Sequence, residues 1–331
     1  MKTERDGIAT SGSPPRLDPQ AGLVRPRVLG RFDGVERGPL LIAIGAMHGN
    51  EPAGVLAIER AFELLAHERA FRPAFAYRGR FVGLTGNRAA LAMGRRFLRH
   101  DLNRWLDPER IEALRARGAE LSAEDAEALA LTDAVRAEVA DYDPAHVVVI
   151  DLHTTTADGG FFSIVNDSPG GRAIALDLHA PVILGMLGGL RDTTLHYFTT
   201  AQFGRPVTSL VFESGSHADP GSLTRAVSAL VNAMRSIGSV HPRDVEQRHN
   251  DALLAAAEGL PALVRFRYAH GITAADRFRM RPGYVNFDPV TEGEVLADDV
   301  RGEVRSPLTG RILMPLYQAQ GEDGFFLVEE L

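Results

Sequence analysis

His48, Glu51 and His153 are the side chains whose types and spacing best suit catalysis in this chain. Two imidazoles and one carboxylate make the ligand set of a catalytic zinc, leaving a fourth position for water or substrate. The run His48-Gly49-Asn50-Glu51 puts two ligands on one tight loop. His153, in Asp151-Leu152-His153-Thr154-Thr155, closes the set from a distant segment. Each stretch follows an aliphatic β-forming run, Leu40–Ile44 in one case and Val147–Ile150 in the other. Strand ends at the mouth of an open α/β sheet are where such folds assemble their sites.

Two further segments offer partners. Arg95, Arg96, Arg99 and Arg104 crowd into one stretch with Asp101 and Asn103 among them. A charge run is usually a solvated face. Here, however, a guanidinium fork can match a carboxylate in two bonds, with an Asn amide beside it. Asp101 is suited to accept the second N–H of a ligand histidine, as carboxylates around metal sites commonly do. In Val211-Phe212-Glu213-Ser214-Gly215 a carboxylate ends an apolar strand. It is either a cap or a base aimed into the site, and beside a zinc-activated water the base reading is preferred.

The elements that must position these groups are readable from periodicity. Leu40–Ile44, Phe81–Leu84, Val147–Ile150, Val182–Leu184 and Ser209–Phe212 read as strands. Pro52–Leu65, the segment from Ser122 to Val139, and Thr224–Ile237 read as helices. This alternation predicts an α/β fold whose mixed, largely parallel central sheet is flanked by helices. A polar linker is expected over 238–250. Beyond it lie short β-type runs, Ala262–Tyr268, Gly283–Phe287, Glu294–Leu296, Gly310–Leu313 and Phe325–Val328, which predict a small C-terminal β domain. The division expected is a flexible leader over 1–20, a catalytic domain over 21–238 and a β-rich domain over 251–331 that covers the site.

Composition narrows the function classes. The 331 residues are 45% hydrophobic and 24% charged with a net charge of −7, which argues against a general nucleic-acid binder or a membrane-surface protein. The absence of cysteine excludes thiolate metal sites, disulfides and cysteine nucleophiles. The first residues lack the apolar core of a signal peptide and no run has the length of a membrane helix, so a cytoplasmic location is expected.

Gly45–Gly54, Asp101-Leu102-Asn103-Arg104, Asp151–Thr155 and Phe212-Glu213-Ser214-Gly215 occur in the order and approximate spacing of the succinylglutamate desuccinylase/aspartoacylase family, which belongs with the zinc carboxypeptidases. The chain resembles that family over roughly residues 38–235. The resemblance implies one zinc per chain, held by His48, Glu51 and His153, with Glu213 as general base and proton shuttle. It also implies that Arg96 polarises the scissile carbonyl and that Asn103 and Arg104 grip a substrate carboxylate. A homo-oligomer would fit the family. The reaction implied is removal of an acyl group from a small N-acylated amino acid or related amine.

The chain also departs from the family pattern. Arg205 lies several positions from where a further substrate-contacting arginine stands in aspartoacylases, and His217 lies in an unfamiliar loop after the base. Tyr268, Tyr284 and Tyr317 are the candidates for a substrate-contacting tyrosine. The C-terminal turns resemble a biotinyl/lipoyl-like β fold, yet residues 251–331 contain no lysine, which excludes a carrier role. The alternatives are a zinc carboxypeptidase or amidase acting on larger substrates, and a silent ligand-binding protein that uses the metal pocket for recognition alone.

Overall fold

The computed structural model describes residues 22–117, 121–166 and 168–331. The leader expected over 1–20 lies outside the described residues. The strands are β1 (Val28–Asp33), β2 (Glu36–Gly45), β3 (Arg78–Thr85), β4 (Val147–Thr155), β5 (Phe162–Val165), β6 (Val182–Leu184), β7 (Val207–Ser216), β8 (Leu263–Gly271), β9 (Arg279–Met280), β10 (Pro289–Val290), β11 (Val295–Asp299), β12 (Gly302–Arg305), β13 (Gly310–Leu313) and β14 (Asp323–Glu330).

An 11-stranded sheet runs in the order β1-β3-β2-β4-β7-β5-β6-β8-β14-β13-β10, and a 3-stranded sheet runs β12-β11-β9. The centre, β3-β2-β4-β7, is parallel throughout, whereas β5 joins β7 antiparallel. The sheet continues through the parallel β6–β8 pairing into the antiparallel C-terminal strands. The expected mixed, mainly parallel sheet with a small antiparallel C-terminal sheet is therefore the fold.

Burial on both faces explains why β2 and β4 carry unbroken aliphatic runs instead of an alternating pattern. Side-chain alternation divides them between two cores. Leu41, Ala43, Val148, Ile150, Leu210 and Phe212 face the helices Ala53–Phe71 and Ser222–Ser236. Leu40, Ile42, Val147 and Val149 face the opposite side, against Leu131 and Val135 of the helix Ala123–Tyr142. That helix begins with a reciprocal cap: Asp125 N–H donates to Ser122 Oγ at 3.2 Å and Ser122 N–H donates to Asp125 Oδ2 at 3.1 Å.

Two expectations need correction. Gly283–Phe287 is a turn and not a strand. Its Asn286 side chain accepts from Met314 N–H at 2.7 Å and donates to Ala157 O at 3.3 Å, so side-chain bonds and not a ladder hold it. The stretch 238–250 is packed and does not behave as a linker. Val240 is buried and bridges Tyr77, Arg78 N–H donates to Ser239 O at 2.8 Å, and the helix Arg248–Ala256 begins inside the stretch.

Candidate functional site

The loop after β2 is shaped by close backbone approach. A Cβ on Gly49 would lie 2.1 Å from the Ala90 carbonyl carbon, so only glycine lets this loop rest on the short helix Arg88–Ala92. Gly49 N–H donates to Arg96 O at 3.1 Å, and Glu51 N–H returns to His48 O at 3.1 Å, which turns both side chains to the same side. Ala46, just before them, adopts φ 59°.

β4 runs through Thr155, so His153 lies within the strand and not beyond it. Two-residue periodicity then aims Asp151 and His153 at one face. β7 pairs Val211 with Asp151 and Glu213 with His153, and all four side chains share that face. A register break between His153 and Thr155 ends the regular ladder at the site.

His48, Glu51 and His153 meet, with one ligand atom from each all within 4.8 Å of one another. His48 Nδ1 lies 2.8 Å from Glu51 Oε1, and His153 Nδ1 lies 3.0 Å from Glu51 Oε2. Each imidazole turns its other nitrogen to a carboxylate: His48 Nε2 to Asp101 Oδ1 at 3.0 Å, and His153 Nε2 to Asp151 Oδ2 at 2.9 Å. Two nitrogens and one carboxylate, with both rings oriented by buried acids, are a donor set that fits a divalent metal ion.

Electrostatics are strong because everything here is buried. Burial opposes ionisation of Glu51, but the two imidazoles outweigh it and hold the carboxyl well below its usual range. Burial likewise opposes the charge on Asp101, and His48 with Arg96 overcomes it. Glu213 behaves in the opposite way. Burial pushes its carboxyl up to about 7, and its Oε2 has no hydrogen-bond partner among the described residues. A buried carboxyl poised near neutrality with a free oxygen is suited to moving protons.

Arg96 donates to Asp101 Oδ2 at 2.9 Å and lies 3.6 Å from Glu51 Oε1, while its buried Nε has no partner among the described residues. Asn103 Oδ1 accepts from Thr194 N–H at 3.0 Å, and its amide nitrogen stands 3.5 Å from His153 Nε2. Arg104 donates to its neighbour's Asn103 O at 2.7 Å and to Asp323 Oδ2 at 2.6 Å.

His48, Glu51, Arg96, Asn103, Arg104, His153 and Glu213 line one cavity. His217 lines it too. Its Nδ1 lies 2.7 Å from Thr154 Oγ1 and its buried Nε2 is unpartnered among the described residues. Arg205 does not reach the cavity, because it binds Asp143 Oδ1 and Pro144 O, both at 2.9 Å, beside the opposite end of β7. None of Tyr268, Tyr284 and Tyr317 is among the lining residues. The C-terminal contribution comes instead from Met314, Leu316, Gln318, Glu322, Asp323 and Phe326.

Three supporting residues escape a reading by motif. Asp151 stands two residues before His153, and the two-residue spacing within a strand would have revealed it had β4 been extended through Thr155. Thr194 donates from Oγ1 to Asp151 Oδ2 at 2.8 Å, from a segment without a sequence signal. Buried Glu124 accepts from the N–H groups of Leu98 at 2.7 Å and Arg99 at 3.1 Å, which fixes the segment carrying Arg96 and Asp101.

The fold is an α/β sheet carrying a buried His-Glu-His group that could hold a metal ion. Residues 37–237 match the model of the succinylglutamate desuccinylase/aspartoacylase catalytic domain, and the chain belongs to that family. Among solved structures it is similar to a succinylglutamate desuccinylase from Vibrio cholerae, at 18% identity and TM-score 0.60, over 88% of this chain and 82% of that one. It is also similar to a succinylglutamate desuccinylase/aspartoacylase from Rhodobacter sphaeroides, at 19% identity and TM-score 0.60, over 90% and 88%. A product-bound ectoine utilization protein EutE (DoeB) from Ruegeria pomeroyi matches at 17% identity and TM-score 0.57, over 89% and 85%. No curated protein matches the chain. Among the described residues no helix is long and apolar enough to cross a membrane.

Proposed function

We propose that this protein is a zinc-dependent amidohydrolase that removes the acyl group from a small N-acylated amino acid or related amine. The observation that carries this reading is the buried His48–Glu51–His153 group facing the unpartnered oxygen of Glu213 across one cavity. A zinc ion held by those three side chains would supply Lewis acidity and bring the pKa of a water in the cavity towards neutrality.

The chain's own residues supply the rest. Glu213 Oε2 takes the proton from the attacking water and gives it to the departing amine nitrogen, a task suited to a carboxyl near pKa 7. Arg96 directs its free Nε at the carbonyl oxygen as negative charge develops there, a contribution worth about 3–4 kcal/mol for one well-placed donor. Asp101 and Asp151 hold the imidazoles in place. Asn103 and Arg104 border the space where the remainder of the substrate sits. Residues 21–238 form the catalytic unit in this reading, and 251–331 form the β-rich unit that closes one side of the cavity and limits entry to small molecules in the cytoplasm.

The test is metal analysis with a substrate panel. The purified protein is expected to carry one zinc per chain and to release amine from N-acyl amino acids faster than it cleaves C-terminal dipeptides. His153→Ala is expected to lose both the metal and the activity. Preference for the dipeptides would establish the carboxypeptidase alternative. Full zinc occupancy in His153→Ala would remove His153 from the ligand set.

A further inference from the structure

The cavity has two unlike ends. One holds the metal-ligand group, Glu213 and Arg96. The other is walled by Ile164, Met186, Leu195, Val211, Leu316 and Phe326, all but Leu316 buried. Strand pairing explains the division, since Ile164 of β5 stands directly across from Val211 of β7, one two-residue step from Glu213. In β14, Phe326 and Val328 face this wall while Phe325 and Leu327 face the C-terminal core. The apolar wall thus continues from the catalytic strands into the C-terminal ones.

Arg104 is already paired within the cavity. Arg104 is held by Asp323 at 2.6 Å and by the Asn103 carbonyl, and Glu322 lines the same space. Burial works against the Arg104 charge, but Asp323 and Asp101 more than compensate, so the ion pair persists as a charged pair. The lining has two arginines, Arg96 and Arg104, against the carboxylates of Glu51, Glu213, Glu322 and Asp323. Further cations, Arg99, Arg110 and Arg191, line an outer groove that meets the cavity at Arg104, Glu322 and Asp323. A substrate bearing a second carboxylate would have to displace Asp323 from a half-buried ion pair and would meet a lining with more carboxylates than arginines.

We propose that the preferred substrate carries an apolar group beside the scissile amide and at most one carboxylate, and that Asp323 sets this preference by occupying Arg104. This rests on the amidohydrolase reading above and names the substrate class for the same cavity. An apolar side chain or acyl chain gains by filling the wall, and an acidic one loses by desolvation without a partner.

The experiment compares kcat/KM for N-acetyl-leucine and N-acetyl-phenylalanine, with the apolar group on the amine, for N-hexanoyl-glycine, with it on the acyl side, and for N-acetyl-aspartate and N-acetyl-glutamate. At least one apolar arm is expected to exceed both acidic substrates by about 10–100-fold, and the arm that does so tells which side of the amide faces the wall. Asp323→Asn, which frees Arg104, is expected to raise turnover of N-acetyl-aspartate at least about tenfold without a gain on the apolar substrates. Leu316→Ala, which leaves the ion pair intact, is expected to reduce turnover of the apolar substrate about tenfold and spare the acidic ones.

Preference of the wild type for the acidic substrates overturns the proposal and leaves the amidohydrolase reading standing. An unchanged apolar-to-acidic ratio in both variants overturns it as well. If no member of the panel is hydrolysed, the amidohydrolase reading is what fails, and the cavity is then read by thermal shift with the same compounds. Stabilisation by the apolar ligands alone supports the proposal, and stabilisation by acidic ligands or by none overturns it.

Discussion

Glu213→Gln separates the cost of a buried base from its use. The substitution keeps the shape of the side chain and removes its ionisation. The Glu213 carboxyl is pushed from its ordinary 4.5 up to about 7 by burial, so the metal-free folded state holds a proton that the unfolded chain has already released. The stability associated with that proton is fully present below pH 4.5 and is lost as pH rises through 7. Between pH 5 and pH 8 the loss is about 2–3 kcal/mol, from the standard 1.36 kcal/mol per pKa unit. Glutamine does not titrate, so the variant escapes this loss. Any penalty from an unsatisfied amide is the same at both pH values and cancels in the comparison. Chelator-treated wild type and variant should be melted at pH 5 and pH 8. The variant is expected to gain on the wild type by about 2–3 kcal/mol, or roughly 3–4 °C in Tm, between the two conditions. The metal-loaded variant is expected to lose activity by about 10²–10⁴-fold. An equal stability difference at both pH values would refute the electrostatic argument, and retained activity would refute the base assignment.

Two other perturbations test the scaffold. Gly49→Ala places a Cβ 2.1 Å from the Ala90 carbonyl carbon, so the loop carrying His48 and Glu51 must shift. It is expected to lower metal content and to reduce kcat/KM by about 100-fold, and normal values for both would show that the loop tolerates the displacement. His249 is pushed down to about 4 by burial and by the nearby Arg248 and Arg235, so its contribution is present above pH 6.5 and is lost as pH falls towards 4. His249→Gln is expected to make stability less sensitive to acid by about 1–2 kcal/mol between pH 7.5 and pH 5, measured by urea unfolding, whereas parallel pH profiles would show that His249 is not the acid-sensitive group.

How much could be read from the sequence depended on whether a signal was local. Leu40–Ile44 and Val147–Ile150 announced buried central strands because their aliphatic runs have no polar interruption, and the Ser122–Asp125 cap fixed a helix start within one turn. The convergence of His48, Glu51 and His153 was legible because each comes just after such an aliphatic run. What escaped was non-local. β5 is only four residues long, and its antiparallel docking on β7 has no signature. β1 was missed because Arg31 and Asp33 interrupt its pattern at a sheet edge. The Arg104–Asp323 contact spans 219 positions, and neither residue alone marks the other. Gly283–Phe287 read as a strand because its Tyr, Val and Phe favour extended backbone, yet Phe287 adopts φ 69° and the Asn286 side chain does the work of a ladder.

The unbroken sheet also bears on how a substrate would enter. β6 and β8 lie side by side in one hydrogen-bonded ladder, and β14 is zipped onto β8. The strand bearing Phe326 therefore cannot swing away from the strand bearing Glu213 without tearing backbone bonds across several rungs. The spacing of these two strands is set by the sheet, like a gauge rather than a jaw. An active enzyme would admit its substrate without any parting of these strands.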